Sequence, residues 1–288
     1  MGLNPDQIEG ILRRLQSWHV RLILGLSAAI GRPLIKILVL EEGGKILGMV
    51  MMSFGPDLGQ IGGLTVDVSN RRRGHAQALM NACQRICRNY RRSYLVLDVL
   101  SRNTPAVRLY EKLGYRTIRD VRWMVRDLTP LSVDASPDPR YHLRTFRPGD
   151  AKELADLANA AMPVSVRSIV RLRAQDFRGA GLSRRAGRIE AKSWVLEREN
   201  KIVGYVKAFV SPAMEAAQIE PLVLTGPPAP GVCESLIRAA MVWCAERRTP
   251  RAILALPEHL DELRPTLERV GFTEAFRLHT MALDLSAA

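Results

Sequence analysis

Residues 66–80 hold the grouping of side chains in this chain that most strongly suggests chemistry. A β-branched apolar run ends here, Arg71, Arg72, Arg73 and Gly74 follow, and an amphipathic helix begins. The first N–H groups of a helix lack intrahelical acceptors and lie at the positive end of the helix dipole. With arginine guanidinium groups they form an anion site, so the pattern predicts a diphosphate ligand. An ordinary strand–turn–helix with solvated arginines is the alternative interpretation.

A second segment, residues 94–115, reads as a buried strand, a turn at 101–103, a helix entered through Pro105 and a stop at Gly114. Together the two segments resemble the GNAT family of acyl-coenzyme A N-acyltransferases. Arg71-x-x-Gly74-x-Ala76 resembles the family's coenzyme A loop. The second segment resembles its other motif at Asn103, Ala106, Leu109, Tyr110, Leu113, Gly114 and Tyr115. The likeness to bacterial ribosomal-protein alanine N-acetyltransferases is closest around residues 97–115.

This resemblance implies an enzyme that transfers acetyl directly from acetyl-CoA, its cosubstrate, to a primary amine without a metal. The acceptor would be a small molecule or a protein N-terminus. A non-catalytic acyl-CoA sensor, or a scaffold for an acidic partner or RNA, is the alternative function. The residues that the resemblance places on coenzyme A are Val66, Val68, Arg71, Arg72, Arg73, Gly74, His75, Ala76, Asn103, Ala106 and Tyr110.

The same resemblance implies catalytic roles for two residues. Tyr110 would protonate the departing thiolate, since a tyrosine with a pKa near ~10 is protonated at neutral pH. Asp98, twelve residues earlier, stands where the alanine acetyltransferases have a glutamate base, and Asp67 is a weaker candidate base. Each assignment has a structural alternative: a core tyrosine for Tyr110, an arginine ion pair for Asp98. Asn103 could cap a helix and His75 could pack inward.

Composition limits the remaining possibilities. The chain has 288 residues and a net charge of +13, and arginine supplies 35 of its 42 basic residues. It has no secretory signal pattern or membrane-length apolar run, so we expect a cytoplasmic protein, either monomer or homodimer. Cys83 and Cys87 are expected to be buried core thiols. The arginine-rich residues 167–188 are either a solvated helix face and loop or a docking site for an acidic partner or RNA.

The chain divides at residues 129–139, whose prolines and serines are typical of a linker. Residues 1–130 and 139–288 share an order of elements that indicates duplication. The predicted fold is therefore α/β (α+β), with two tandem GNAT-like domains, each a mixed, mostly antiparallel sheet flanked by helices. The second domain is expected to be degenerate for coenzyme binding, because alignment places Pro228, Leu260 and Leu267 at the positions of Arg71, Asn103 and Tyr110.

The first half also departs from the family pattern. Residues 4–30 read as helical, so the leading strand that the second half shows at 141–148 is missing here. Either the true start lies upstream, or the other domain covers the open sheet edge.

Overall fold

The computed structural model describes residues 35–128, 140–177, 190–211, 216–224 and 230–286. The predicted helix at 4–30 and the linker at 129–139 lie outside these ranges. The described residues form two compact units, one made of 35–118 with 279–286 and the other of the residues between 119 and 278. These limits differ from the predicted 1–130 and 139–288, because residues 119–127 lie in the second unit and the last residues lie in the first.

The longer elements follow the predicted order along the chain. Their bounds are β1 (Ile35–Glu42), β2 (Lys45–Phe54), β3 (Leu58–Val66), α1 (His75–Asn89), β4 (Tyr94–Leu100), α2 (Thr104–Lys112), β5 (Arg116–Asp127), β6 (His142–Thr145), α3 (Ala151–Ala161), α4 (Val164–Arg167), α5 (Ala174–Phe177), β7 (Glu190–Arg198), β8 (Lys201–Val210), β9 (Ala217–Leu224), α6 (Pro230–Glu246), β10 (Arg251–Pro257), α7 (Arg264–Arg269) and β11 (Thr273–Asp284). No element was predicted after residue 272, so β11 was not predicted.

The first unit has the strand order β1-β2-β3-β4-β11, with β11 contributing its residues from His279 onward. β1, β2 and β3 pair antiparallel, whereas β3 and β4 run parallel. The predicted β1–β2 hairpin is confirmed: Gly43 and Gly44 have φ values of 59° and 77°, which a tight hairpin turn requires. Helix α1 packs on this sheet through Leu79, Met80, Cys83 and Cys87, all buried.

Strands β3 and β4 diverge towards their carboxyl ends. Their pairing runs only from Leu58 opposite Tyr94 to Ile61 opposite Leu97, although both strands continue. At the same point Gly62 is an extra residue in the β2–β3 register, where Met51 faces Gly63 and Met52 faces Ile61. A bulge of this kind bends a strand, so β3 leaves β4 and a gap opens between them.

Close packing of α1 on β3 depends on Gly59. A Cβ atom added there would lie 2.3 Å from the Cys87 sulfur, which is far below a van der Waals contact. We expect Gly59→Ala to lower the free energy of unfolding by about 1–3 kcal/mol, as overpacking of cores does. Gly63→Ala is the matched control, because its added Cβ meets no atom within 4 Å. Urea unfolding of both variants tests this, and equal stabilities would contradict the packing argument.

The second unit repeats the arrangement of the first. Its strand order is β6-β7-β8-β9-β10-β5, in which only β9 and β10 run parallel. Helix α6 packs on one face around Leu236, Ile237 and Met241, and α3 contributes Leu154 and Ala155 to a separate core. The predicted architecture of two tandem domains, each with a mostly antiparallel mixed sheet and flanking helices, is confirmed.

Candidate functional site

A cleft of about 1020 Å³ lies in the first unit, between the start of β2, the end of β3 and the starts of α1 and α2. Among the residues predicted to bind a coenzyme, those that line it are Val66, Val68, Arg71, Arg72, Gly74, His75, Ala76, Asn103, Ala106 and Tyr110. Arg73 is the exception, since it is exposed but does not border the cleft. Gln77, Pro105 and Leu109, which were not predicted to belong to the site, also line it.

The loop before α1 presents backbone donors to this cleft. Gly74 is the N-cap of α1 with φ 84°, a left-handed conformation that favours glycine. The first intrahelical bond runs from Ala78 N to Gly74 O at 2.9 Å, so the N–H groups of His75, Ala76 and Gln77 lack intrahelical acceptors. Arg72 also has positive φ, 63°, which costs a non-glycine residue roughly 1–2 kcal/mol. The strained loop therefore brings N–H groups together with Arg71 and Arg72 at one corner of the cleft, an arrangement that suits an anion.

Arg71 connects this loop to the end of β3. Its Nε donates to the Val66 carbonyl at 3.3 Å, while the residue stays exposed. The side chain thus lies between the strand end and the N-terminus of α1. A guanidinium in this position adds full charge beside the helix donors and suits a phosphate oxygen.

The edge of β3 that faces the gap carries further donors. Asp67 N donates to Leu47 O at 2.8 Å. From there the N–H groups of successive β3 residues point alternately towards β2 and away from it. The N–H groups of Leu64 and Val66 therefore point away from β2, towards the gap. Val68 does not belong to this edge. The strand predicted to reach residue 68 ends at Val66, and Val68 begins a 3-10 turn with 73% of its surface exposed.

The carboxylate of Asp67 stabilises that turn. It accepts hydrogen bonds from the Ser69 hydroxyl and, at 2.6 Å, from the Asn70 amide. These bonds, the Ser69 bond above all, hold the pKa of Asp67 below its usual value. A carboxylate with a lowered pKa and two local donors is a poor proton acceptor, so Asp67 is a weak candidate for a base.

Tyr110 lies on α2, where it both lines the cleft and packs in the core of the first unit. Only 7% of its surface is exposed, and its ring centroid lies 5.9 Å from that of Tyr115. Burial raises the pKa of the Tyr110 hydroxyl above its ordinary value, so the group is protonated at neutral pH. Tyr110 therefore packs in the core and also borders the cleft, while its role as a general acid stays a prediction.

Asn103 caps a helix, as one of its two predicted roles requires, while its contact with a coenzyme stays a prediction. Its side-chain oxygen accepts from Ala106 N at 3.4 Å, which makes Asn103 the N-cap of α2, and the residue also borders the cleft. The capping interaction directs the start of α2 at the cleft, as Pro105 in its first turn also favours.

Asp98 does not line the cleft. It follows Leu97, the last residue of β4 that pairs with β3, and so lies where the two strands separate. Leu97 and Val99 pack in the same core as Tyr110, whereas Asp98 is exposed, as strand alternation places it on the opposite face. One carboxylate oxygen accepts from the Thr280 hydroxyl at 2.7 Å.

None of the four cysteines is suited to act as a nucleophile. All are buried, and desolvation raises the pKa of the thiols to about 12 for Cys83, Cys233 and Cys244 and about 11 for Cys87. The thiolate is the reactive form, so these thiols are inert at neutral pH. The prediction of buried core thiols at positions 83 and 87 is confirmed.

At two described positions the second unit has apolar residues where the first has motif residues. Leu260 and Leu267, which align with Asn103 and Tyr110, are both buried in its core. Pro228 lies outside the described residues, as does the part of the arginine-rich segment between 178 and 189. In the described part of that segment Phe177 is a core residue and Arg167 donates to Asn159 O at 3.3 Å.

Residues 13–115 match the sequence model of the acetyltransferase (GNAT) family. The chain is similar in structure to a tandem GNAT protein from the clavulanic acid biosynthesis pathway, with 17% identity, coverage of 88% of this chain and 84% of the other, and a TM-score of 0.62. It is also similar to a GCN5-related N-acetyltransferase from Sphaerobacter thermophilus, with 15% identity, 96% and 85% coverage and a TM-score of 0.66.

A third similar structure is the glucosamine N-acetyltransferase region of a fungal multi-domain β-N-acetylglucosaminidase, with 15% identity, 87% and 33% coverage and a TM-score of 0.64. A comparison with curated proteins finds no match. At these identities the likeness to the solved structures establishes fold alone. The family model matches about a third of the chain, and the solved structures show that its fold is the one found in GNAT proteins.

Two negative findings apply to the residues that the structure describes. No helix among them has the length and apolar character to cross a bilayer. Within the same residues, no three His, Cys, Asp or Glu side chains lie close enough together to hold a metal ion.

Proposed function

We propose that the first unit is an acetyl-CoA-dependent N-acetyltransferase that acts on a primary amine. The observation that carries this proposal is the cleft itself. It joins the unpaired N–H groups at the start of α1, which suit a diphosphate, to the buried hydroxyl-bearing Tyr110 on α2. GNAT proteins generally use acetyl-CoA as cosubstrate, and the gap between β3 and β4 provides room for its extended pantetheine arm.

The mechanism proposed is direct attack of the amine on the thioester. The amine nitrogen bonds to the carbonyl carbon, and the carbonyl oxygen takes up negative charge in a tetrahedral intermediate. The N–H groups of Leu64 and Val66, which point into the gap, stabilise that charge. The carbon–sulfur bond then breaks, and the thiolate receives the proton of the Tyr110 hydroxyl, which water restores. The inert cysteines favour this direct route over an acyl-enzyme.

The amine also loses a proton, for which Asp98 is the proposed acceptor, directly or through a water molecule. Asp98 and Tyr110 lie on opposite faces of β4, at the point where the strands separate. A thioester in the gap would therefore have the base, Asp98, on the face from which the amine approaches. The acid, Tyr110, would lie on the opposite face. An α-amine with a pKa near ~8 needs less help from a base than a lysine near ~10.4, so small amines and protein N-termini are the proposed acceptors.

Calorimetry with acetyl-CoA and a thiol-release assay over a panel of small amines, N-terminal peptides and lysine peptides test the proposal. We expect binding of one acetyl-CoA per chain, because Leu260 and Leu267 replace the motif residues in the second unit. We also expect saturable thiol release with at least one acceptor. Binding without release from any panel member would favour an acyl-CoA sensor, and no binding at millimolar acetyl-CoA would overturn both functions.

A further inference from the structure

The final residues of the chain bring one buried polar side chain to the candidate base. Thr280 lies on β11, in the part of that strand that belongs to the first unit next to β4. Its side chain is 2% exposed, and its hydroxyl donates to Asp98 Oδ1 at 2.7 Å. It is one of only two buried polar or charged residues among those that the structure describes.

We propose that Thr280 is a positioning residue for Asp98, so that the last strand of the chain supports proton transfer in the first domain. This proposal rests on the function proposed above. The Thr280 hydroxyl holds one carboxylate oxygen, which leaves Oδ2 to accept the amine proton. Both groups are anchored on neighbouring strands, and a β-branched threonine has few side-chain rotamers in a strand. The carboxylate is therefore held in one orientation before an acceptor arrives.

The surroundings of Asp98 fit such a role. The β3 residue on the same face beyond the bulge is Gly63, where an added Cβ would meet no atom within 4 Å. The sheet surface beside the carboxylate therefore has no side chain at this position, which leaves room for an acceptor amine. Without the Thr280 hydroxyl, the exposed carboxylate is free to rotate towards water.

The test compares Thr280→Val, which keeps the shape but removes the hydroxyl, with Thr280→Ser, which keeps the hydroxyl. With the acceptor found by thiol release, we expect Thr280→Val to lower kcat about tenfold and to leave the KM for acetyl-CoA unchanged. Thr280→Ser should return kcat to within about twofold of the wild type. In an Asp98→Asn background, Thr280→Val should cause no further loss, since a double-mutant cycle isolates the pairwise interaction.

Three outcomes would overturn the proposal. An equal loss in the Asp98→Asn background, or a serine variant no better than valine, would make Thr280 a packing residue. The carboxyl-carbon NMR resonance of Asp98 gives a readout without turnover: it should move in Thr280→Val and return in Thr280→Ser. If it moves but Asp98→Asn keeps full turnover, the base assignment and this proposal fail while acetyl transfer stands.

Discussion

Replacement of Tyr110 with phenylalanine is expected to lower kcat by about 10²- to 10³-fold at neutral pH, which lies within the 10²- to 10⁴-fold that general acid catalysis typically supplies. The ring packs in the core against Tyr115, and phenylalanine keeps that packing, so the fold and the Kd for acetyl-CoA should change little. Steady-state thiol release and calorimetry with the same acceptor and cosubstrate provide the two measurements. Full turnover in this variant would assign the acid to water or to another group.

Tyr115→Phe is the matched control. Tyr115 lies five residues away in the same core but does not border the cleft, so its hydroxyl should contribute nothing to kcat.

The pH dependence of kcat gives a further check on Tyr110. Burial raises the pKa of Tyr110, and a general acid works only when protonated, so its contribution should persist through pH 10 and decline only above that. A decline in kcat that begins near pH 8 would point to a different acid.

Ala76→Glu should abolish acetyl-CoA binding, with an increase in Kd of about 100-fold or more. Ala76 is the second residue of α1 and lines the cleft, so a carboxylate there would occupy the anion site. Its repulsion of a diphosphate amounts to a few kcal/mol, and about 2.7 kcal/mol corresponds to 100-fold. A glutamate in the first turn of a helix is favourable for the helix itself, so stability should not fall.

Ala78→Glu provides the control for charge. Ala78 lies two residues further along α1, is exposed and does not line the cleft, so the same added charge should change the Kd less than about threefold. Calorimetry of both variants, with thermal unfolding to confirm folding, completes the test. If the two glutamates weaken binding equally, net charge rather than the anion site determines the affinity.

Local patterns accounted for most of the first unit. The turn at Gly43–Gly44, the Gly74 helix start and the Asn103 cap each depend on residues within a few positions of one another, and the structure confirms all three elements. The cleft also brings together ten of the eleven residues predicted to bind a coenzyme. Their ligand and their roles remain predictions, as does the likeness to alanine acetyltransferases.

Features that depend on distant residues were not predictable in the same way. Thr280 reaches Asp98 across 182 positions of sequence, and no local pattern marks the pair. The divergence of β3 from β4 follows from a bulge at Gly62, which only the pairing register reveals. The assignment of residues 119–127 to the second unit, where they pair with β10, also has no local sequence signal.

The place of residues 279–286 in the first unit bears on how the protein acquires its structure during synthesis. Met281 and Leu285 complete a core whose other buried members lie before residue 116. This core therefore cannot form completely while only the amino-terminal half of the chain has left the ribosome. Domains generally fold as units in the order of their synthesis. Here the earlier unit has to wait until residues 279–286 have been synthesised, and its exposed apolar surface is open to chaperones until then.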